Sequence, residues 1–144
     1  MAHQDRGNYA GKHPEKTIDP ALRERIEKSV RDGRLDCADA HRAAVDCNVR
    51  PYEIGIQADL LELRISTCQL GLFGHSPNQK KNFDPSIVIS DAVRNAVLRA
   101  QTDGVISCRN AWELAGDLTL SRPDMGSICE KMEIRIKPCQ LGTF

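Results

Sequence analysis

Hydrophobic residues recur at helical spacing soon after residue 20. Leu22, Ile26 and Val30 are each four residues apart, which places them on one face of a helix. Asp19-Pro20 supplies an N-cap and a proline at the first helical position, and Asp32-Gly33 is typical of a helix end. The pattern therefore predicts a first helix between these two signals.

Two further helices and a short strand are predicted next. The second helix begins after Asp36 and ends near Cys47-Asn48, because asparagine tolerates a left-handed turn. The third extends from about Pro51 to Leu61. Leu63-Arg64-Ile65 has the alternation of a short strand, and Gln69-Leu70-Gly71 is typical of a turn.

The same pattern returns later in the chain. Residues 18–73 align without a gap to residues 89–144 at an offset of 71, with 18 identities in 56 positions. Unrelated sequences of ordinary composition would give about three or four. We therefore predict a disordered polar tail over 1–16, a first repeat over 17–73, a linker over 74–88 and a second repeat over 89–144. Because each repeat is short for independent folding, we expect the pair to form a pseudo-two-fold unit within one chain.

Three helices, a strand and a glycine turn resemble the winged-helix pattern, in which the second and third helices form a helix-turn-helix. The resemblance depends on a small residue, a turn residue, a hydrophobe and a second hydrophobe at fixed spacing. Those positions are occupied by Ala44, Asn48, Val49 and Ile54, and in the second repeat by Ala115, Thr119, Leu120 and Met125. The fold class predicted is mainly α, with two tandem winged-helix-like repeats and short β wings. The turn departs from the family, which prefers glycine there.

The resemblance implies binding of double-stranded DNA by the third helices, as in small bacterial or archaeal regulators. The residues it places near the groove are Arg50, Tyr52 and Gln57 in the first repeat and Arg122, Ser127 and Lys131 in the second. The net charges of the third helices do not favour binding of DNA. Residues 50–62 carry one arginine against three acidic residues, a balance of −2, and residues 121–133 carry two basic and three acidic residues, a balance of −1.

A protein-interaction module on the same fold is therefore a second hypothesis. The surface around the third helices distinguishes the two: DNA binding predicts clustered arginine and lysine there, whereas a protein interface predicts an exposed apolar patch. The net charge of the whole chain favours neither hypothesis, because 20 Lys and Arg balance 20 Asp and Glu.

Six cysteines raise a third hypothesis, a thiol- or metal-responsive or cluster-carrying protein. No CxxC pair is present. Four of the six match between the repeats: Cys37 with Cys108 and Cys68 with Cys139. If the strand packs beside the start of the second helix, each repeat brings its two thiols close together. Buried structural thiols, a Zn or Fe–S site and a redox switch all remain open.

Several classes of protein are not expected. No stretch approaches the roughly 20 apolar residues of a membrane span, and the first residues lack the apolar region of a secretory signal. We therefore expect a cytoplasmic protein with no membrane partner. No nucleophile triad, paired-carboxylate spacing, GxGxxG or P-loop is present, so we do not expect an enzyme.

Overall fold

A computed structural model of the chain describes residues 8–75 and 81–144. The described chain is mainly helical with small strands, as predicted. The elements in chain order are α1 (Pro20–Glu27), β1 (Arg34–Asp36), α2 (Cys37–Asp46), α3 (Pro51–Leu60), β2 (Arg64–Ser66), α4 (Asp91–Ala100), β3 (Val105–Ile106), α5 (Cys108–Asp117), α6 (Arg122–Lys131) and β4 (Arg135–Ile136).

The helix starts follow from local capping. The Asp19 carboxylate accepts hydrogen bonds from the N–H groups of Ala21 and Leu22 at the start of α1, which confirms the predicted N-cap. Helices α4, α5 and α6 begin after serines whose hydroxyls accept from a backbone N–H three residues later; these serines are Ser90, Ser107 and Ser121. The α2–α3 connection contains Asn48 at φ 55°, the left-handed conformation predicted for it.

Each pair of short strands is parallel. Leu35 of β1 is the register partner of Ile65 of β2, and both side chains are buried. The Asp36 carboxylate accepts from the Ser66 and Thr67 hydroxyls at 2.7 and 3.2 Å, which fixes the end of β2 beside the start of α2. The predicted strand near residues 63–65 is therefore present, shifted by one residue, whereas β1 was not anticipated.

The two helical cores use small residues where helices meet. Ala40 and Ala44 of α2 are buried, as are Ala111 and Ala115 of α5. Alanine at these positions lets the following helix approach closely. Larger buried side chains fill the rest of each core: Ile26, Leu35 and Ile54 in the first, and Val97, Ile106, Met125 and Ile128 in the second.

The compact units do not coincide with the predicted repeat boundaries. One unit contains residues up to Cys68 together with Gln140–Phe144, and the other contains Gln69–Cys139. We call residues 69–71 and 140–142 the QLG turns. Residues 69–71 of the first repeat belong to the unit that contains α6, and residues 140–142 of the second repeat belong to the unit that contains α3. The sequence pattern cannot show which unit a QLG turn joins, because the turn has the same local structure in either unit.

The predicted disordered tail over residues 1–16 also differs from the structure. Its first seven residues lie outside the described part of the chain, but Tyr9–Lys12 form a 3₁₀ turn against α3. The Glu62 carboxylate accepts from the N–H groups of Tyr9 and Ala10 at 2.7 and 2.8 Å, and the Tyr9 side chain is buried. The sequence did not predict this structure, because the segment has few hydrophobic residues. Hydrogen bonds and one aromatic ring hold it in place.

The predicted linker over residues 74–88 is in contact with α6 where it is described. The Asp84 N–H donates to the Ser127 hydroxyl at 2.8 Å, and the Lys131 ammonium donates to the Ile87 carbonyl at 2.8 Å. Hydrogen bonds from the Ser86 hydroxyl and N–H lower the pKa of the Asp84 carboxyl. This segment is therefore part of the second unit rather than a free spacer.

Candidate functional site

The third helices are buried around their whole circumference at mid-length. Residues 54–58 of α3 and 125–129 of α6 are consecutive buried residues, which is more than one helical turn. A QLG turn lies directly on each helix. A Cβ placed on Gly55 would lie 1.8 Å from the Leu141 carbonyl oxygen, and one on Gly126 would lie 1.7 Å from that of Leu70. We call these close approaches the glycine notches.

Three residues of the predicted DNA-reading set hold neighbouring segments. Gln57 is buried; its side-chain oxygen accepts from the Asp19 N–H at 2.9 Å and its side-chain nitrogen donates to the Thr17 carbonyl at 3.2 Å. Ser127 is buried under Asp84, and Lys131 is exposed but bonded to the backbone at Ile87. The structure therefore gives these three residues local structural partners.

The other three residues of that set lie at the starts of the third helices. Arg50 is exposed at the N-cap of α3, where its N–H donates to the Glu53 carboxylate at 3.2 Å. Tyr52 is 48% exposed and its ring lies against Gly142. Arg122 is exposed at the first position of α6. The accessible residues of this set thus lie at the junction between the second and third helices.

In the second unit this junction forms an open hollow of about 390 Å³, which we call the Trp112 hollow. Its lining is Gln69, Trp112, Ala115, Gly116, Leu120, Ser121, Arg122 and Pro123. The volume lies within the range of small-ligand and side-chain pockets. Gly116 has no atom within 4 Å of the place where a side chain would begin, so the hollow stays open there.

Arg122 gives the Trp112 hollow its charge. Its guanidinium carbon lies 3.6 Å from the centroid of the Trp112 ring, a cation–π contact that ties the side chain to the indole. The nearby Arg109 is neutralised by an ion pair with Glu113 at 3.3 Å. The hollow therefore has a mixed polar and apolar lining that includes one guanidinium, which can donate to a carboxylate.

The corresponding junction of the first unit also exposes apolar side chains. Val45, in the last turn of α2, is 79% exposed, and Tyr52 follows in the first turn of α3. Arg42 of α2 is ion-paired with Asp39. A second hollow, beside Tyr9, Lys12 and Asp59, has a volume of only about 20 Å³, which suits no more than a water molecule.

Each unit contains two of the four matched cysteines. In the first unit β2 lies beside the start of α2, the condition for bringing Cys37 and Cys68 together, and both are buried. In the second unit the Cys108 N–H donates to the Pro138 carbonyl at 3.1 Å, next to the half-buried Cys139. Within the described residues, no three His, Cys, Asp or Glu side chains are grouped in a way that could hold a metal ion.

Cys129 is expected to be among the slowest thiols to react. It is fully buried in α6, and desolvation raises its pKa to about 11. Treatment of the folded chain with iodoacetamide at mildly alkaline pH, followed by peptide mass spectrometry, is expected to modify the half-buried Cys47 and Cys139 before Cys129. Equal rates at Cys47 and Cys129 would contradict the packing described for α6.

Comparison with protein-family models, curated proteins and solved structures found no match to this chain. No helix among the described residues has both the length and the apolar character needed to cross a membrane. The site is therefore interpreted from its own geometry.

Trp112 and Gly116 line the hollow but are not among the residues that the helix-turn-helix resemblance selects. Trp112 stands where the first repeat has His41, and Gly116 stands where it has Val45, so both positions differ between the repeats. Differences of this kind between the repeats could have indicated the hollow, because they change the size of a surface side chain without altering the helix pattern. The notch glycines had a clearer signal, since Gly55 and Gly126 are identical between the repeats.

Proposed function

We propose that this chain is a non-enzymatic protein-interaction module that binds its partner at the Trp112 hollow. The observation that carries the proposal is the presence of large apolar side chains at both helix junctions. Val45 and Tyr52 are exposed in the first unit, and the hollow of the second unit brings Trp112, Leu120 and Pro123 together with polar residues. Exposed apolar surface beside buried third helices favours a protein interface over a DNA groove.

The chemistry of the hollow indicates the kind of partner. Trp112, Leu120 and Pro123 offer contact area for a large apolar side chain. The Arg122 guanidinium beside Trp112 can donate to a carboxylate, and arginine and tryptophan are the residues most often dominant in interfaces. The partner that fits is a peptide segment with an apolar side chain next to an acidic one.

The proposal includes helix-turn-helix geometry in each unit, with the helices carrying the likeness to the winged-helix family. Four residues connect α2 to α3, and four connect α5 to α6. The turn positions Asn48 and Thr119 have φ values of 55° and 56°. The Val49 and Leu120 N–H groups donate back to Ala44 and Ala115. These contacts support the spacing on which the resemblance depends.

The proposal is tested by selecting a random-peptide library displayed on phage against the full chain and then titrating the enriched peptides. Trp112 is the one tryptophan in the sequence, so its fluorescence reports binding at the hollow directly. We expect Arg122→Ala to weaken binding about tenfold or more, the size typical of an interface hot spot. Gly116→Leu is expected to weaken it similarly by filling the hollow.

Arg109→Ala is the matched control, because Arg109 is an exposed α5 residue outside the lining of the hollow. Peptide affinity is expected to stay within about twofold of the unaltered chain, as for an energetically neutral rim position. Equal affinities for the unaltered chain, Arg122→Ala and Gly116→Leu would refute the hollow as the binding site.

A second candidate, binding of double-stranded DNA, is favoured by one observation. Arg34 and Arg64 are register partners in the strands of the first unit, and Arg31 forms a bridge with Arg34. These three arginines, two on the strand pair and one in the bridge beside it, could contact phosphates. Selection of genomic fragments at two salt concentrations tests this, since phosphate contacts predict affinity that falls steeply with salt and is reduced by Arg34→Ala. Absence of enrichment at low salt would exclude it.

A further inference from the structure

Each glycine notch is filled by a backbone turn rather than by a side chain. In the first unit the Leu141 carbonyl group rests on Gly55, and the ring of Tyr52 lies where a side chain on Gly142 would begin, with Cε1 2.6 Å away. The Leu141 side chain is buried. Any residue larger than glycine at position 55 would collide with backbone, so this notch is shaped for a closely approaching turn.

The notch of the second unit is built in the same way from different residues. The Leu70 carbonyl group rests on Gly126, and the Leu70 side chain is fully buried. The Gly71 carbonyl accepts from the Asn82 N–H at 2.7 Å, and Phe73 is buried. Two independent notches thus hold turns through the same backbone approach.

The segments that occupy the notches share one sequence. Gln69-Leu70-Gly71 is followed by Phe73, and Gln140-Leu141-Gly142 is followed by Phe144. The described contacts with Gly55 and Gly126 are made by backbone atoms and leucine, which both segments contain. These contacts are made by the leucine of a Q-L-G-x-F segment and do not depend on which chain supplies it.

We propose that the Gly55 notch is a self-recognition site, at which residues 140–144 of a second copy of this chain replace the chain's own segment. The two copies would then exchange QLG turns reciprocally, a form of domain swapping that needs no new contact. A tethered segment has an effective concentration in the millimolar range, so exchange is favoured at high protein concentration. The inference stands independently of the proposed partner of the Trp112 hollow.

A complementation experiment with full-length chains tests the proposal. Leu141→Asp leaves the Gly55 notch intact but prevents docking of the chain's own turn, because a carboxylate would be buried without a partner. Gly55→Leu fills the notch and leaves an intact turn free. Mixing the two variants is expected to give a 1:1 heterodimer in native mass spectra, at about twice the 16.0 kDa mass of one chain.

The control mixes Leu141→Asp with the double variant Gly55→Leu/Leu141→Asp, in which residues 140–144 are also unable to dock at residue 55 of another copy. No heterodimer is expected from this pair. Circular dichroism of each variant before mixing shows whether its helices are retained. With helices retained, absence of a heterodimer in the first mixture, or its appearance in the control, would overturn the proposal.

The unaltered chain provides a test that does not depend on variants folding. Chains grown with and without ¹⁵N are mixed at about 1 mM, the range in which a second copy competes with a tethered segment. A dimer of mixed mass is expected, and it should persist after dilution because both turns must leave their notches before it separates. Absence of this species, or its immediate dissociation on dilution, would overturn the exchange.

Discussion

Gly126→Ala is expected to lower the free energy of unfolding by about 2 kcal/mol or more, although alanine normally stabilises a helix interior by up to about 1 kcal/mol relative to glycine. The added Cβ would lie 1.7 Å from the Leu70 carbonyl oxygen and 2.7 Å from its carbon. Both are backbone atoms, so no side-chain rotation relieves the collision and the QLG turn must move. Gly55→Ala is expected to act in the same way through Leu141.

Gly116→Ala is the matched control for this prediction. Gly116 is also a helical glycine, but nothing lies within 4 Å of its Cβ position. It is expected to raise the free energy of unfolding by about 0.5–1 kcal/mol through helix propensity alone. Urea denaturation followed by circular dichroism measures all three variants. Shifts of the same sign for Gly126→Ala and Gly116→Ala would show that the turn does not rest on α6.

Leu70→Ala and Leu141→Ala are expected to cost about 2–5 kcal/mol each, the range for removing a buried leucine side chain. Both leucines are almost fully buried, and each anchors a QLG turn beside a notch glycine. The loss comprises the transfer free energy of the removed carbons and the cavity that the surrounding side chains cannot fill. Comparable losses are expected because the two turns make similar contacts in separate units.

Leu98→Ala provides the comparison, because Leu98 is 47% exposed on α4. Its cost is expected to stay below about 1 kcal/mol, since a half-exposed side chain loses little burial. Denaturation curves with unchanged slopes would show that the variants share one unfolding transition. A change in Leu70→Ala no larger than that in Leu98→Ala would refute the role of this turn as an anchor.

The helices of this protein were predictable because their signals are local. Asp19 caps α1 at the predicted position, and Asn48 adopts the predicted left-handed turn. Pro51 begins α3 as expected. A cap needs only a side-chain oxygen and an N–H two or three residues away, so a short stretch of sequence contains all of its determinants.

The candidate site was predictable only in part. The helix-turn-helix spacing located the junction at which Arg50, Tyr52 and Arg122 are accessible. It also selected Gln57 and Ser127, which the structure buries against Asp19 and Asp84. Helical periodicity could not distinguish the accessible residues from the buried ones, because the segments that cover α3 and α6 come from elsewhere in the chain.

By itself, the sequence determined the mainly helical class, the starts of the helices and the internal similarity at an offset of 71. Only the tertiary structure decided that residues 140–144 belong with the first unit, that Tyr9 packs beside α3 and that Trp112 lines a hollow. The physical reason is the range of the interactions. Caps and turns act over a few residues, whereas the contacts of the glycine notches join backbone atoms more than fifty residues apart.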